Sequence, residues 1–190
     1  MNPNLVEYIK RYVKISESEI AILESYVSSQ KLKKKEFLLK EGQICKYRYF
    51  ILKGCVRLFY IDKKGNEQII HFGIDNWWIT DYESLINQIP SKLYIQAIES
   101  TELLKLPQDK FDELSAKIPV INELFRKIME KTYIASQKRI EFIYSMSGEE
   151  MFHYFIEQNP QFTQRVPQYM IASYLGLSPE FVSKVKAKRI

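Results

Sequence analysis

The stretch Gln168 to Ala187, QYMIASYLGLSPEFVSKVKA, constrains this chain more than any other. Ile171, Ala172 and Leu175 fall on one face of a helix, and Ser178-Pro179-Glu180 opens a second helix whose inward positions are Val182 and Val185. Gly176 stands where a chain leaving a helix needs positive φ. Ser178 is an N-cap residue, and Pro179 suits the first helical position. Ala172 is small where the second helix must pass close to the first. Two short helices meeting at a tight corner are the signature of a helix-turn-helix, whose second helix enters the major groove of DNA. A plain helical hairpin packed on the body of the protein would share the apolar spacing, but the charge distribution favours the first reading. From residue 165 onward the chain carries Arg165, Lys184, Lys186, Lys188 and Arg189 against Glu180 alone, while the whole protein is only +5. Positive charge gathered on and beyond the second helix is what phosphate neutralisation requires.

A chain of 190 residues that is 46% hydrophobic can bury one good core and a smaller second one. Two domains are therefore expected, residues 1–145 and 146–190, with the boundary at Ser145 to Gly148. No apolar run approaches the roughly 18 residues of a membrane span. The start of the chain also lacks a signal peptide's basic, then apolar, then small-residue order. A cytoplasmic protein with no membrane partner is expected. Cys45 and Cys55 should be free in a reducing compartment, and they are too few for an iron–sulfur cluster held by one chain's thiolates alone.

Taken in order, the chain begins helical, with Leu5, Val6, Ile9 and Val13 at helical spacing and a capping box of Ser16 and Glu19 ahead of Ile20, Leu23 and Tyr26. From Gln30 the period changes to short runs rich in aromatic and β-branched residues: 36–39, 48–52, 56–61, 68–72, 93–98 and 103–106. Turn signals at Glu41-Gly42, Lys53-Gly54 and Asp62 to Asn66 separate them. Many short strands with glycine corners imply an antiparallel barrel or jelly roll. Lys31, Lys33, Lys34 and Lys35 read as a solvated strand edge. Phe111 and Leu114 mark a short helix that Pro119 limits, and a long helix follows over about residues 120–144. Its apolar stripe is Ile121, Leu124, Phe125, Ile128, Ala135 and Phe142, more than one small sheet can cover. Self-association along it is expected, although Lys131 and Lys138 interrupt a strict heptad. Ser147 and Glu150 form a second capping box, and Asn159-Pro160 ends that helix.

Barrel, long helix and C-terminal helix-turn-helix, in that order, resemble the Crp/Fnr family of bacterial transcription regulators, whose sensor is a cyclic-nucleotide-binding type β-roll. The matching residues are the Leu39-Lys40-Glu41-Gly42 turn, Phe50 to Gly54 leading into Val56-Arg57-Leu58, the Asp62 to Glu67 hairpin, and Val166 to Lys186. The fold so implied is α+β: an antiparallel, jelly-roll-like β-roll sensor, a long dimerisation helix and a small all-α helix-turn-helix domain. The resemblance implies a homodimer reading double-stranded DNA at a roughly palindromic operator. Ser178, Pro179, Glu180, Ser183 and Lys184 would face the groove, with Gln168, Lys186 and Lys188 as further DNA contacts. A carboxylate at Glu180 suits the cytosine N4 donor; its alternative role is to stabilise the helix dipole from the first turn. RNA polymerase is a partner of such a regulator when it activates, though no residue pattern marks the surface.

Two departures bear on ligands and affinity. Family members that bind cyclic nucleotides carry Gly-Glu-Leu and then Arg-Ser/Thr-Ala, whereas this chain has Thr80 to Leu85 and Pro90-Ser91-Lys92-Leu93. Asp81, Glu83, Ser91 and Lys92 are the candidate ligand residues, but the bidentate arginine is missing. No cyclic nucleotide is expected, and an effector, if one is needed, is of another kind. Family members also continue into a β-hairpin wing, whereas this sequence ends at Ile190. Fewer phosphate contacts and a shallower salt dependence follow, unless Arg165 and Gln168 supply them.

Enzymatic chemistry has little support. His71 and His153 are the only histidines, and neither has a metal-ligand or nucleophile partner at usable spacing. No metal or cofactor is expected, and His71 reads as a barrel-wall residue. Of Trp77-Trp78, one ring should point into the roll and one out, with a ligand pocket or dimer contact as the alternative use. The other functional class open to the sequence is a small-molecule-binding or scaffolding β-roll whose terminal helices bind a protein partner.

Overall fold

The computed structural model describes residues 2–187. Helix α1 (Pro3–Lys10) is capped by the Asn2 side chain, and α2 (Glu17–Tyr26) by the expected box. In that box the Ser16 N–H donates to Glu19 Oε2 at 2.8 Å while Ser16 Oγ accepts from the Glu19 N–H at 3.3 Å. These bonds hold the Glu19 carboxyl below the usual carboxylate range.

Eight strands follow: β1 (Ser28–Leu32), β2 (Phe37–Leu39), β3 (Tyr47–Lys53), β4 (Cys55–Ile61), β5 (Glu67–Ile74), β6 (Trp78–Ile79), β7 (Tyr94–Ala97) and β8 (Thr101–Pro107). Helix α3 (Tyr82–Asn87) lies between β6 and β7. The strands form two four-stranded sheets, β1-β8-β3-β6 and β2-β7-β4-β5. In the first sheet Phe50 of β3 stands opposite Leu104 of β8 and Trp78 of β6. Its Lys31 donates to Glu102 across the β1–β8 pair at 2.7 Å, a solvent-exposed contact that places charge on the sheet edge.

Helix α4 (Phe111–Lys117) leads into α5 (Val120–Ser145). Leu5, Ile9, Phe50, Leu104, Leu106, Leu114, Ile121, Leu124, Phe125 and Ile128 share one core between the first sheet and α1, α2, α4 and α5. Trp78 sits half-buried against Phe50 and Phe125, with ring centroids 5.2 and 5.0 Å apart, while Trp77 is exposed. One ring in and one out is the expected arrangement, with the inward ring in the layer beneath the helices. Cys45 and Cys55 are both buried, and no disulfide joins them.

The terminal helices are α6 (Gly148–Gln158), α7 (Pro160–Arg165), α8 (Gln168–Leu175) and α9 (Pro179–Ala187). The Ser147–Glu150 box caps α6 reciprocally. Asn159-Pro160 ends α6 as expected, but Pro160 then takes the first position of α7, a helix the sequence reading did not include. The chain forms two compact units: one is the chain through Leu58 with Phe72–Glu130, the other Phe59–His71 with the chain from Lys131 on. No helix among the described residues is long and apolar enough to cross a membrane.

Candidate nucleic-acid interface

The corner between α8 and α9 is built from backbone requirements. Gly176 adopts φ 72°, and the Leu177 N–H reaches back to the Ala172 carbonyl at 2.9 Å, closing the last turn of α8. Nothing lies within 4 Å of where a Gly176 Cβ would stand, so the conformation and not crowding calls for glycine. The Ser178 Oγ accepts from the Phe181 N–H at 3.1 Å and caps α9. Ala172, Val182 and Val185 are fully buried where the two helices cross, with Met151, Phe152, Phe162 and Ile171 completing this small core.

Burying Val182 and Val185 fixes which residues of α9 face outward. Ser178, Pro179, Glu180, Ser183, Lys184 and Lys186 are all exposed, and Gln168 is half-buried at the first turn of α8. Lys188 lies outside the described residues. Among the described residues, Glu180 and Lys184 make no ion pair with each other although they stand one turn apart. Carboxylate and ammonium are both available at the helix surface, as a base-reading helix needs.

Within the same compact unit the first helix of the motif is tied to the β4–β5 hairpin. Ser173 Oγ donates to the Glu67 carbonyl at 2.8 Å and accepts from the Ile69 N–H at 3.0 Å. Arg139 of α5 donates to the Ile70 carbonyl at 2.6 Å and to the Tyr174 carbonyl at 2.5 Å, with its guanidinium 4.0 Å from the Tyr174 ring centroid. His71, next along β5, is pushed down to about 4, first by burial and then by the Arg139 charge. Sequence reasoning missed Arg139, whose partners lie 69 and 35 residues away.

The four candidate ligand residues divide in two. Asp81 and Ser91 are buried and bonded to each other, Ser91 Oγ donating to Asp81 Oδ2 at 2.7 Å. The other Asp81 oxygen accepts from the Glu83 and Ser84 N–H groups and caps α3. Glu83 and Lys92 are exposed. A buried carboxylate that already holds the serine hydroxyl repels a phosphate where a nucleotide-binding roll presents an arginine. Arg57 is also buried and its Nε and Nη2 donate to Gln96 Oε1 at 3.0 and 2.7 Å. Among the described residues no group of three His, Cys, Asp or Glu is placed to hold a metal ion.

Along α5 the expected apolar stripe faces the core only through Ile128. Ala135 is exposed, and Phe142 packs edge-on against Tyr154 with centroids 4.8 Å apart. Of the exposed apolar residues of α5, which also include Ile134 and Tyr144, Met129, Tyr133, Ile140 and Ile143 are joined by Ser136 into alternating four- and three-residue steps. Lys131 and Lys138 interrupt the continuation of the core stripe, not this seam.

The architecture of the described residues is a β-roll, a long helix and a helix-turn-helix, in that order. The family profile described as the cyclic nucleotide-binding domain matches residues 29–117. The anaerobic regulatory protein of Pasteurella multocida is 26% identical over 184 residues, covering 90% of this chain and 66% of its own length. The fumarate and nitrate reduction regulatory protein of Yersinia pestis is 27% identical over 184 residues, covering 90% and 72%. This chain thus spans about two thirds of the first relative. Among solved structures, FixK2 from Bradyrhizobium japonicum superposes with a TM-score of 0.70 at 17% identity over 85% of this chain and 83% of its own, which establishes the fold. Residues 29–117 thus match the cyclic nucleotide-binding domain, and along most of its length the chain is similar to regulatory proteins of the Crp/Fnr kind.

Proposed function

We propose that the protein binds double-stranded DNA as a homodimer, reads a roughly palindromic operator with α9, and does so in the cytoplasm without a cyclic nucleotide. One observation carries the reading: Val182 and Val185 are buried, so Glu180, Ser183 and Lys184 share the free face of a capped helix in a tight-cornered motif. Lys184 and Lys186 supply phosphate contacts, and Glu180 suits a cytosine amino group. The exposed seam Met129, Tyr133, Ile140 and Ile143 supports pairing of two copies through α5. The Asp81–Ser91 bond supports a roll that does not take a nucleotide.

The test is binding-site selection from random duplex DNA with the purified protein and no added ligand. The expected product is an inverted repeat with half-sites about one helical turn apart. Glu180→Ala should then relax preference at one symmetric base pair, costing about 1–3 kcal/mol of discrimination. No binding at low salt would remove the DNA reading and leave a β-roll whose terminal helices hold a protein partner.

A further inference from the structure

Arg48 carries a charge into the apolar layer between the first sheet and its helices. It is 5% exposed, on the same face of β3 as Phe50. Its guanidinium carbon stands 3.9 Å from the ring centroid of Phe111 and 5.2 Å from that of Phe125. Nη1 donates to the Gln108 side-chain oxygen, and the Tyr82 hydroxyl also bonds the group. Among the described residues no carboxylate lies within ion-pair distance of it; the exposed Asp112 acts only at longer range. The Arg48 Nε–H is buried without an acceptor.

The same is true of Trp78 on the neighbouring strand. Its Nε1–H is buried with no partner, and its ring lies 5.0 Å from that same Phe125. Two unsatisfied N–H donors, one of them on a cation, therefore flank one phenylalanine. A water molecule would satisfy the donors and leave the charge uncompensated, whereas an anion does both. The ring contacts with Phe111 and Phe125 offset only part of the burial of a guanidinium, which stays protonated in any case. Apart from the Gln108 amide and the Tyr82 hydroxyl, the side chains set against the guanidinium are the apolar rings of Phe111 and Phe125, which suits a small anion of single charge.

We propose that Arg48 and Trp78 form a binding site for one small monovalent anion, of halide or formate size, at the base of α5. The site is independent of the DNA-binding reading and can fail or stand without it. An anion there bridges β3 and β6 and satisfies both donors at once.

The test uses the full chain exchanged into sodium gluconate, an anion too large for the site, and titrated with sodium chloride or sodium formate at constant ionic strength. The expected result is a saturable rise in Tm of several degrees, with a matching change in tryptophan emission. A response to chloride alone, to formate alone or to both identifies the occupant as halide, carboxylate or either. Trp78→Phe keeps an aromatic ring and removes the N–H, and should weaken the apparent affinity at least tenfold. Arg48→Met should abolish the response; if that variant does not fold, Trp78→Phe still decides. A Tm that follows ionic strength alone, or the same anion response in Trp78→Phe, would overturn the proposal.

Discussion

Arg139 donates to the carbonyl of Tyr174 at 2.5 Å while its guanidinium carbon stands 4.0 Å from the centroid of the same residue's ring. With its second bond, to Ile70, it joins α5, the β5 strand and the first helix of the reading motif in one unit. Charge-assisted bonds of this kind contribute about 1.5–3 kcal/mol each. Arg139→Ala should therefore lower the local opening free energy of the Ile69 amide by about 2 kcal/mol or more, read by native-state hydrogen exchange. Lysine keeps the charge but not the planar fork, so Arg139→Lys should recover less than half of the loss. Unchanged Ile69 exchange in Arg139→Ala would mean that Ser173 alone holds the hairpin to α8.

The His71 imidazole gives the same unit a pH dependence of known sign. Its folded value, pushed down to about 4, lies below the ordinary value of 6.5, so the native state holds the ring neutral. Its contribution to stability is full above pH 6.5 and is lost as pH falls through 6.5 toward 4. Between pH 8 and pH 5 the loss should be about 2 kcal/mol. Urea unfolding of the wild type and of His71→Gln at the two pH values isolates it, because carboxylates common to both cancel. Parallel pH profiles for the two proteins would show that His71 titrates alike in both states.

Gly54, between β3 and β4, is the glycine whose loss the roll tolerates least. Its φ is +124°, and a Cβ there would stand 2.4 Å from Thr101 Oγ1 and 2.7 Å from the Thr101 Cα. Backbone on the other side cannot swing away as a side-chain tip can. Gly54→Ala should cost more than about 3 kcal/mol, seen as a lower denaturation midpoint or loss of soluble protein. At Gly176 only φ opposes a side chain, so Gly176→Ala should cost about 1 kcal/mol.

What the sequence made legible was local. Capping boxes at Ser16 and Ser147, the αL residue at Gly176 and the aromatic and β-branched runs of β3 and β4 are written within a few neighbouring residues, and each is realised. The two-residue β6 and the six-residue α3 were not legible, because neither is long enough to show a period. Pro160 misled for a different reason: the residue that ends one helix is also the best first residue of the next. At the interface, the outward face of α9 followed from the spacing of Val182 and Val185, but the Arg139 clasp did not. It depends on carbonyls that carry no side-chain signature. The Asp81–Ser91 bond was half legible, since the missing arginine was plain and the closing of the pair was not.

The seam on α5 shows how a correct period can be followed onto the wrong face. The core stripe from Ile121 to Ile128 continues by spacing to Ala135 and Phe142, but the sheet it packs on does not continue with it. Beyond Ile128 one row of exposed apolar residues runs one position over, from Met129 through Tyr133 and Ile140 to Ile143, with Ile134 and Tyr144 beside it. If two copies pair along them, Ile140→Glu places two carboxylates in a buried seam and should convert the dimer to monomer, measured by sedimentation at micromolar concentration. Operator affinity should fall more than tenfold with it, because two linked half-site contacts become two separate ones. Ala135→Glu, exposed on the extrapolated stripe, should leave both mass and affinity unchanged. Dissociation by Ala135→Glu and not by Ile140→Glu would return the interface to the original stripe, where Lys131 and Lys138 would then have to be accommodated between the copies.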